Sequence, residues 1–390
     1  MPATDTSRLT ATSTFRGSAW ERWQGATLLV AGLGAIGQRL GTEARRAGAS
    51  VLAVDPDVGE RSNLATQPVE VGTPKAESFV AACARVAPGR ARGLRGDVRS
   101  LGVGEIARCA LILDCTDAAA LAPILTRISN GLGLPLLRAA LDGSGERELG
   151  RVRASHGGAG HACQVCSYAA ADLARGRVAT PCPGSPADDR PPTLAGGAMA
   201  MTIAGIALLQ AQRLVGGNDL ERALDREIVL DLSSGALFEL TLRRSERCIS
   251  GHERWDPRPI GLSARSTTLG ELFDVARAEL GADATLEPFA NPLCFAAGCP
   301  CGASVAAAGT PWCEPPRCAS CGARAQWRRE LELHRLDFAR ARALGLLDRT
   351  LADLGFPRSG ALFIARAGTD RVAHLCLSLD PSTPRFGELP

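Results

Sequence analysis

An α/β fold with a Rossmann-like, mainly parallel sheet, followed by a small C-terminal domain containing a zinc ribbon, is predicted by three features of this 390-residue sequence. The first is a βαβ unit: "TLLVAG" is a buried apolar strand, "IGQRLGTEARRAG" an amphipathic helix closing on Gly48, and "SVLAVD" a second strand ending in Asp55. The second is "CALILDCTD", another apolar strand, which ends in Asp114 and Asp117. The third is a cysteine-dense stretch with "CPCG" and "CASCG", whose glycines after the last ligands allow the tight turns of two zinc knuckles.

In chain order, residues 1–25 form an N-terminal arm. Its start, "MPATDTSRLTATST", lacks a charged-then-apolar signal pattern, which points to the cytoplasm. Gly32, Gly34 and Gly37 then have G-x-G-x-x-G spacing, where glycine lets phosphate oxygens approach backbone N–H groups at a helix N-terminus. Asp55 follows at about the 20-residue interval of an acidic group that binds ribose hydroxyls. Alone, these residues predict a dinucleotide-dependent dehydrogenase. The next segment, "DPDVGERSNLATQPVEVGTPKAES", is polar and turn-rich. It carries Asp57, Asn63, Gln67 and Lys75 where a dehydrogenase would turn quickly into its next helix; it can line a triphosphate pocket, while composition alone favours a solvated surface loop. Carboxylates at the C-terminal edge of a parallel sheet, such as Asp114 and Asp117, are placed to hold Mg²⁺ against phosphates.

Composition narrows the class. Hydrophobic residues make up 45% and charged residues 22%, as in a globular protein of two domains. Lys plus Arg total 44 against 41 Asp plus Glu, a formal +3 that implies no basic face and no nucleic-acid partner. "LAGGAMAMTIAGIALLQAQRLV", residues 194–215, is long and apolar, but Gln210, Gln212 and Arg213 crowd one end. It is expected to be a core or interface helix, with no membrane partner. Fourteen cysteines, many in close pairs and without an export signal, favour metal ligation over disulfides.

The run "GLGAIG … VDPDVGERSNLATQ … VGTPKAES … ILDCTD" resembles the adenylation domains of ubiquitin-activating and sulfur-carrier-activating enzymes, the ThiF, MoeB and HesA group. The likeness runs from about residue 15 to residue 257, setting an adenylation domain at 26–257 and a C-terminal module at 258–390. It implies ATP- and Mg²⁺-dependent activation of the C-terminal glycine of a ubiquitin-like protein, by a homodimer whose C-terminal module serves the tag or a conjugating enzyme. By the same resemblance, Gly32, Gly34 and Gly37 border the phosphates, Asp55 binds ribose, Asn63, Gln67 and Lys75 contact phosphates, and Asp117 holds Mg²⁺. Thr66 departs from it, standing where the family has an arginine; Arg61, Arg16 and Arg22 are the candidate replacements. The family also has a crossover loop that often carries the cysteine receiving the tag, here Cys182 in "ATPCPGSPADDRPP".

The resembling enzymes carry two C-x₂-C pairs at the positions of "HACQVC" and "RCISGH". Cys163, Cys166, Cys248 and His252 therefore form one expected zinc site, with His252 replacing the last cysteine. The ribbon, at about residues 290–325, is expected to use Cys299, Cys301, Cys318 and Cys321, with Cys294 or Cys313 as alternative members. Beyond it, "DFARARALGLLDRTLADLG" reads as a helical run and "WDPRPIGL" as the linker between domains. A sulfur-carrier adenylyltransferase and a non-catalytic scaffold of the same fold remain the alternative functions.

Overall fold

The computed structural model describes residues 7–118, 120–142, 148–156, 160–168, 196–328 and 332–380. It divides into two compact units, one holding the described residues up to Gly96 and those from Cys109 to Arg254, the other Asp97–Arg108 and those from Trp255 onward.

In the first unit, strands β1 (Thr27–Ala31), β2 (Ser50–Asp55), β3 (Ala91–Arg95), β4 (Leu111–Asp114), β5 (Pro135–Asp142), β6 (Leu149–His156), β7 (Arg226–Asp231) and β8 (Ala236–Thr241) form one sheet in the order β3-β2-β1-β4-β5-β6-β7-β8. Pairing is parallel as far as β5 and antiparallel beyond it. Leu28, Leu29, Val30 and Ala31 of β1 and Leu111, Ile112 and Leu113 of β4 are fully buried. These unbroken apolar runs suit strands covered on both faces. The chain winds outward from β1 to β3 and then returns to β4 on the other side of β1. Such a reversal opens a crevice at the C-terminal ends of β1 and β4, where open α/β sheets bind ligands.

The described helices are α1 (Ser7–Thr10), α2 (Ala19–Gly25), α3 (Ala35–Arg46), α4 (Lys75–Val86), α5 (Val103–Ile106), α6 (Leu121–Leu132), α7 (Gly197–Gly216), α8 (Leu269–Leu280) and α9 (Phe338–Ala343). Helix α7 is long and apolar enough to cross a membrane, yet half of its apolar window is buried within the protein. Met199, Ala200, Ile203, Ala207 and Ala211 enter the core of the first unit. Two glycines permit close packing there: a Cβ on Gly41 of α3 would stand 2.7 Å from the Phe79 ring, and one on Gly150 of β6 would stand 2.3 Å from Ile203.

The second unit contains a five-stranded sheet in the order β14-β10-β15-β16-β9, from Leu336–Asp337, Thr285–Pro288, Leu362–Ala367, Arg371–Cys376 and Pro257–Pro259. A three-stranded sheet follows, β12-β11-β13, from Ser304–Gly309, Cys294–Gly298 and Gln326–Trp327. Helix α8 starts at a capping box: the Thr268 hydroxyl accepts from Glu271 N (3.2 Å) and the Glu271 carboxylate accepts from Thr268 N (2.8 Å). It buries Leu269, Leu272, Phe273 and Ala276 with Leu286, Phe363 and Leu375.

Asp97–Arg108 is part of this unit. Gly104 N donates to Gly360 O (2.9 Å), and the Arg99 guanidinium lies 3.4 Å from the centre of the Trp312 ring. Two expectations need correction. "WDPRPIGL" is not simply a linker, because Pro257–Pro259 forms edge strand β9, parallel to β16; an edge tolerates proline since its outer N–H groups need no partner. The run after Asp337 is helical only over Phe338–Ala343, because Gly345 at φ 65° turns the chain and Leu346 N bonds back to Ala341 O (3.0 Å).

Candidate functional site

The glycine turn is shaped by contacts that leave no room for side chains. Gly32 has φ 87°, and a Cβ there would stand 2.8 Å from Cys115 O. A Cβ on Gly37 would come 1.9 Å from Gly32 O, so glycine is what lets α3 start this close to β1. Gly34 differs: its Cβ would meet nothing within 4 Å, and no side chain caps the first turn of α3. An open, uncapped helix N-terminus is the cradle a phosphate fits.

Asp55, at the end of β2, is 4% exposed. Its two carboxylate oxygens accept from Leu33 N (2.6 Å) and Asp57 N (2.8 Å), tying the glycine turn to the loop after β2. Burial raises its pKa, against the pull of those donors and of Lys75. Lys75, the first residue of α4, is also buried, and its Nζ donates to Asp57 Oδ2 (2.9 Å). Burial would lower the Lys75 pKa, but Asp55, Asp57 and Asp117 together hold it above its ordinary value. Asp117 is exposed just beyond β4. Asp114 is 1% exposed, accepts from Thr116 N (3.1 Å) and the Thr116 hydroxyl (2.7 Å), and lies 3.7 Å from Arg138 Nε, so its carboxylate is already partnered.

Asn63 stabilises its own turn, accepting from Glu60 N (3.0 Å). Gln67 has a buried Oε1 with no hydrogen-bond partner among the described residues. That oxygen is an acceptor, so the partner it lacks is a donor such as a hydroxyl or amino group, not a phosphate oxygen. Among the candidate replacements for an arginine at position 66, Arg22 is committed elsewhere: its Nε donates to Gly216 O (2.9 Å) at the end of α7. Arg61 and Arg16 are exposed. A cavity of about 400 Å³ lined by His161, Leu224, Asp225 and Thr241 is separate from all of these residues.

Four ligand atoms of Cys163, Cys166, Cys248 and His252 lie within 4.8 Å of one another. Cys163 Sγ is 3.6 Å from Cys166 Sγ and 3.4 Å from Cys248 Sγ, and Cys166 Sγ is 3.3 Å from His252 Nε2. Ligands about 2.3 Å from a tetrahedral ion stand about 3.8 Å apart, so the group is slightly tighter than a zinc shell and fits one. Burial and the nearby Arg244 lower the His252 pKa, favouring the neutral imidazole that binds metal. Burial pushes the Cys163 thiol up to about 12. At Cys248 burial is outweighed by donation from Ser250, and the pKa falls. Ser250, which spacing did not single out although it lies within "RCISGH", places its hydroxyl 3.2 Å from Cys248 Sγ and accepts from Asn130 Nδ2 (3.0 Å).

Cys299, Cys301, Cys318 and Cys321 form the second group, with sulfur separations of 3.4 Å (Cys299 to Cys321) and 3.7 Å (Cys301 to Cys318). Gly302 (φ 87°) and Gly322 (φ 71°) turn the chain after each pair. Backbone N–H groups of Ser320 and Cys321 bring the Cys318 thiol down to about 6. Cys294 is buried in β11 and Cys313 donates to Thr310 O (3.0 Å); neither joins the group. Cys182 lies outside the described residues.

A mainly parallel sheet with a glycine turn and an acidic crevice at the strand ends defines a nucleotide-binding protein of the Rossmann-like type. The ThiF family matches residues 6–248, and the chain belongs to that family. No curated protein sequence matches the chain. Among solved structures, Escherichia coli MccB with ATP is similar at a TM-score of 0.48 and 12% identity over 60% of this chain and 68% of that one. The microcin C7 biosynthetic enzyme MccB in complex with N-formylated MccA gives 0.47 and 12% over 60% and 69%. PaaA gives 0.46 and 14% over 58% and 67%.

Proposed function

We propose that this chain uses ATP to adenylate the C-terminal glycine carboxylate of a ubiquitin-like protein. The observation that carries this reading is the convergence of Asp55, Asp57, Lys75 and Asp117 beside an open glycine turn, at the point where the sheet order reverses. ThiF family membership supplies the reaction class.

In the proposed reaction, an acceptor carboxylate oxygen attacks the α-phosphorus of ATP. The bond from that phosphorus to the bridging oxygen breaks, pyrophosphate leaves with the electron pair, and an acyl-adenylate remains. The amides of the first turn of α3 would receive phosphate oxygens. Lys75 would exchange part of its contact with Asp57 for charge developing on the leaving group. Asp55 keeps a free lone pair on each oxygen for ribose hydroxyls while its backbone contacts hold it in place. Asp117 would hold Mg²⁺, which supplies neutralisation of phosphate charge.

Cys182 is assigned the second step: its thiolate attacks the acyl carbon, AMP leaves, and a thioester forms. Both cysteine groups would hold structural zinc. A homodimer is part of this reading, supported by the exposed apolar residues Leu237, Phe238 and Leu240 on edge strand β8, and its location would be the cytoplasm. The C-terminal module would receive the tag or a conjugating enzyme.

The test is exchange of labelled pyrophosphate into ATP, with a candidate tag ending in glycine, with the tag lacking that glycine, and with a short peptide. Exchange only with the intact tag is expected, and Cys182→Ala should retain it while losing the reducible thioester. Exchange with the peptide alone would transfer the activity to peptide substrates. Hydride transfer to NAD without exchange would overturn the reading.

A further inference from the structure

The cradle has a charge imbalance. Asp55, Asp57 and Asp117 act together on Lys75, so three carboxylates face one ammonium before a polyphosphate arrives. Thr66 is neutral and adds no charge, and its hydroxyl turns to Asn63 O (3.5 Å).

We infer that Arg39 of α3 supplies the missing cation and binds the phosphates of ATP; the inference rests on the adenylation reading above. The half-buried Arg39 side chain folds back toward the start of its helix, where Nη1 donates to Ala35 O (2.7 Å) and Thr66 O (2.5 Å). Ala35 directly follows Gly34, so these bonds hold the guanidinium at the rim of the open cradle. The same guanidinium meets a second helix: a Cβ on Gly197, the first residue of α7, would stand 3.7 Å from Arg39 Nη2. Neither α3 nor α7 has a side-chain cap at its N-terminus.

Among the described residues no carboxylate pairs with Arg39, and its Nε and Nη2 make no hydrogen bond. Burial without a counter-charge lowers its pKa. A partly desolvated cation beside two helix N-termini opposes both helix dipoles, and an anion relieves the conflict. The two carbonyls fix the guanidinium without neutralising it, leaving a planar fork of N–H donors for phosphate oxygens. Arg39 thus acts where the "NLATQ" loop offers only backbone.

The test compares wild type with Arg39→Gln, which keeps a polar side chain at this position but carries no charge. Calorimetric titration with Mg-ATP, inorganic triphosphate and adenosine separates the contributions. The variant is expected to bind Mg-ATP and triphosphate about 10- to 100-fold more weakly, as for the loss of a charged hydrogen bond. Adenosine affinity should be unchanged, and the thermal midpoint of the unliganded protein should not fall, since the variant removes a charge that opposes the helix dipoles. Thr66→Arg in the Arg39→Gln background should recover part of the loss, since it returns a guanidinium to the same loop. Equal Mg-ATP affinity in wild type and Arg39→Gln would overturn the assignment of Arg39 and leave adenylation standing. A wild type that binds no Mg-ATP would instead remove the adenylation reading, and this inference with it.

Discussion

Asp55 shows how one side chain can serve both fold and site. Its carboxylate joins two loops by accepting from Leu33 N and Asp57 N, and the same burial that makes those bonds strong raises its pKa. A carboxyl whose folded pKa is raised binds more protons in the folded state than in the unfolded one. Its contribution is therefore full below the unfolded value and is lost as pH rises through the folded one. Asp55→Asn lacks this titration and loses one backbone acceptor, a cost of about 1–3 kcal/mol. Denaturant unfolding should show the variant less stable than wild type, with the gap wider near pH 4.5 than at pH 7.5. A gap that widens toward alkaline pH would mean that Asp55 is stabilised as a carboxylate.

Lys75 and Arg39 show what residue spacing does and does not reveal. Lys75 was legible because a lysine in a polar loop after the second strand has few structural uses. Arg39 was not, because it lies on the polar side of an amphipathic helix, where arginine usually needs no explanation. Its role emerges only from where the guanidinium goes.

Among elements, the central strands and α3 were legible because their apolar periodicity is local and unbroken. Edge strand β9 was hidden by its prolines, and the short extent of α9 by a helix-like composition that Gly345 interrupts. The two cysteine groups differ in protection. Cys163 is buried and the other members of its group are partly so, whereas Cys301 and Cys321 are exposed. Metal analysis of purified protein should find about two zinc ions per chain for two four-ligand sites. Cys163→Ser and Cys318→Ser should each lose one, and a chelator should empty the second group before the first. A folded, metal-free protein would contradict both sites. Simultaneous loss of both ions on chelation would contradict the difference in protection.

Across the whole molecule, association of Asp97–Arg108 with the second unit has no periodic signature, because it depends on contacts far apart in sequence such as Gly104 with Gly360. The crevice is also a long-range product: β1, β2 and β4 end at one edge because the chain reverses direction after β3. Its position was legible from the glycine turn and from aspartates at strand ends, whereas its charge balance depends on which side chains face each other. The reaction proposed at this edge is transfer of AMP from ATP. Pyrophosphate exchange by wild type and by Asp117→Ala, with the cognate acceptor and Mg²⁺, tests it most directly. Mg²⁺-dependent exchange by wild type is expected, with a fall of at least about 100-fold in the variant, the scale for removal of an electrostatic contact to the reacting phosphates. Undiminished exchange by Asp117→Ala would contradict it.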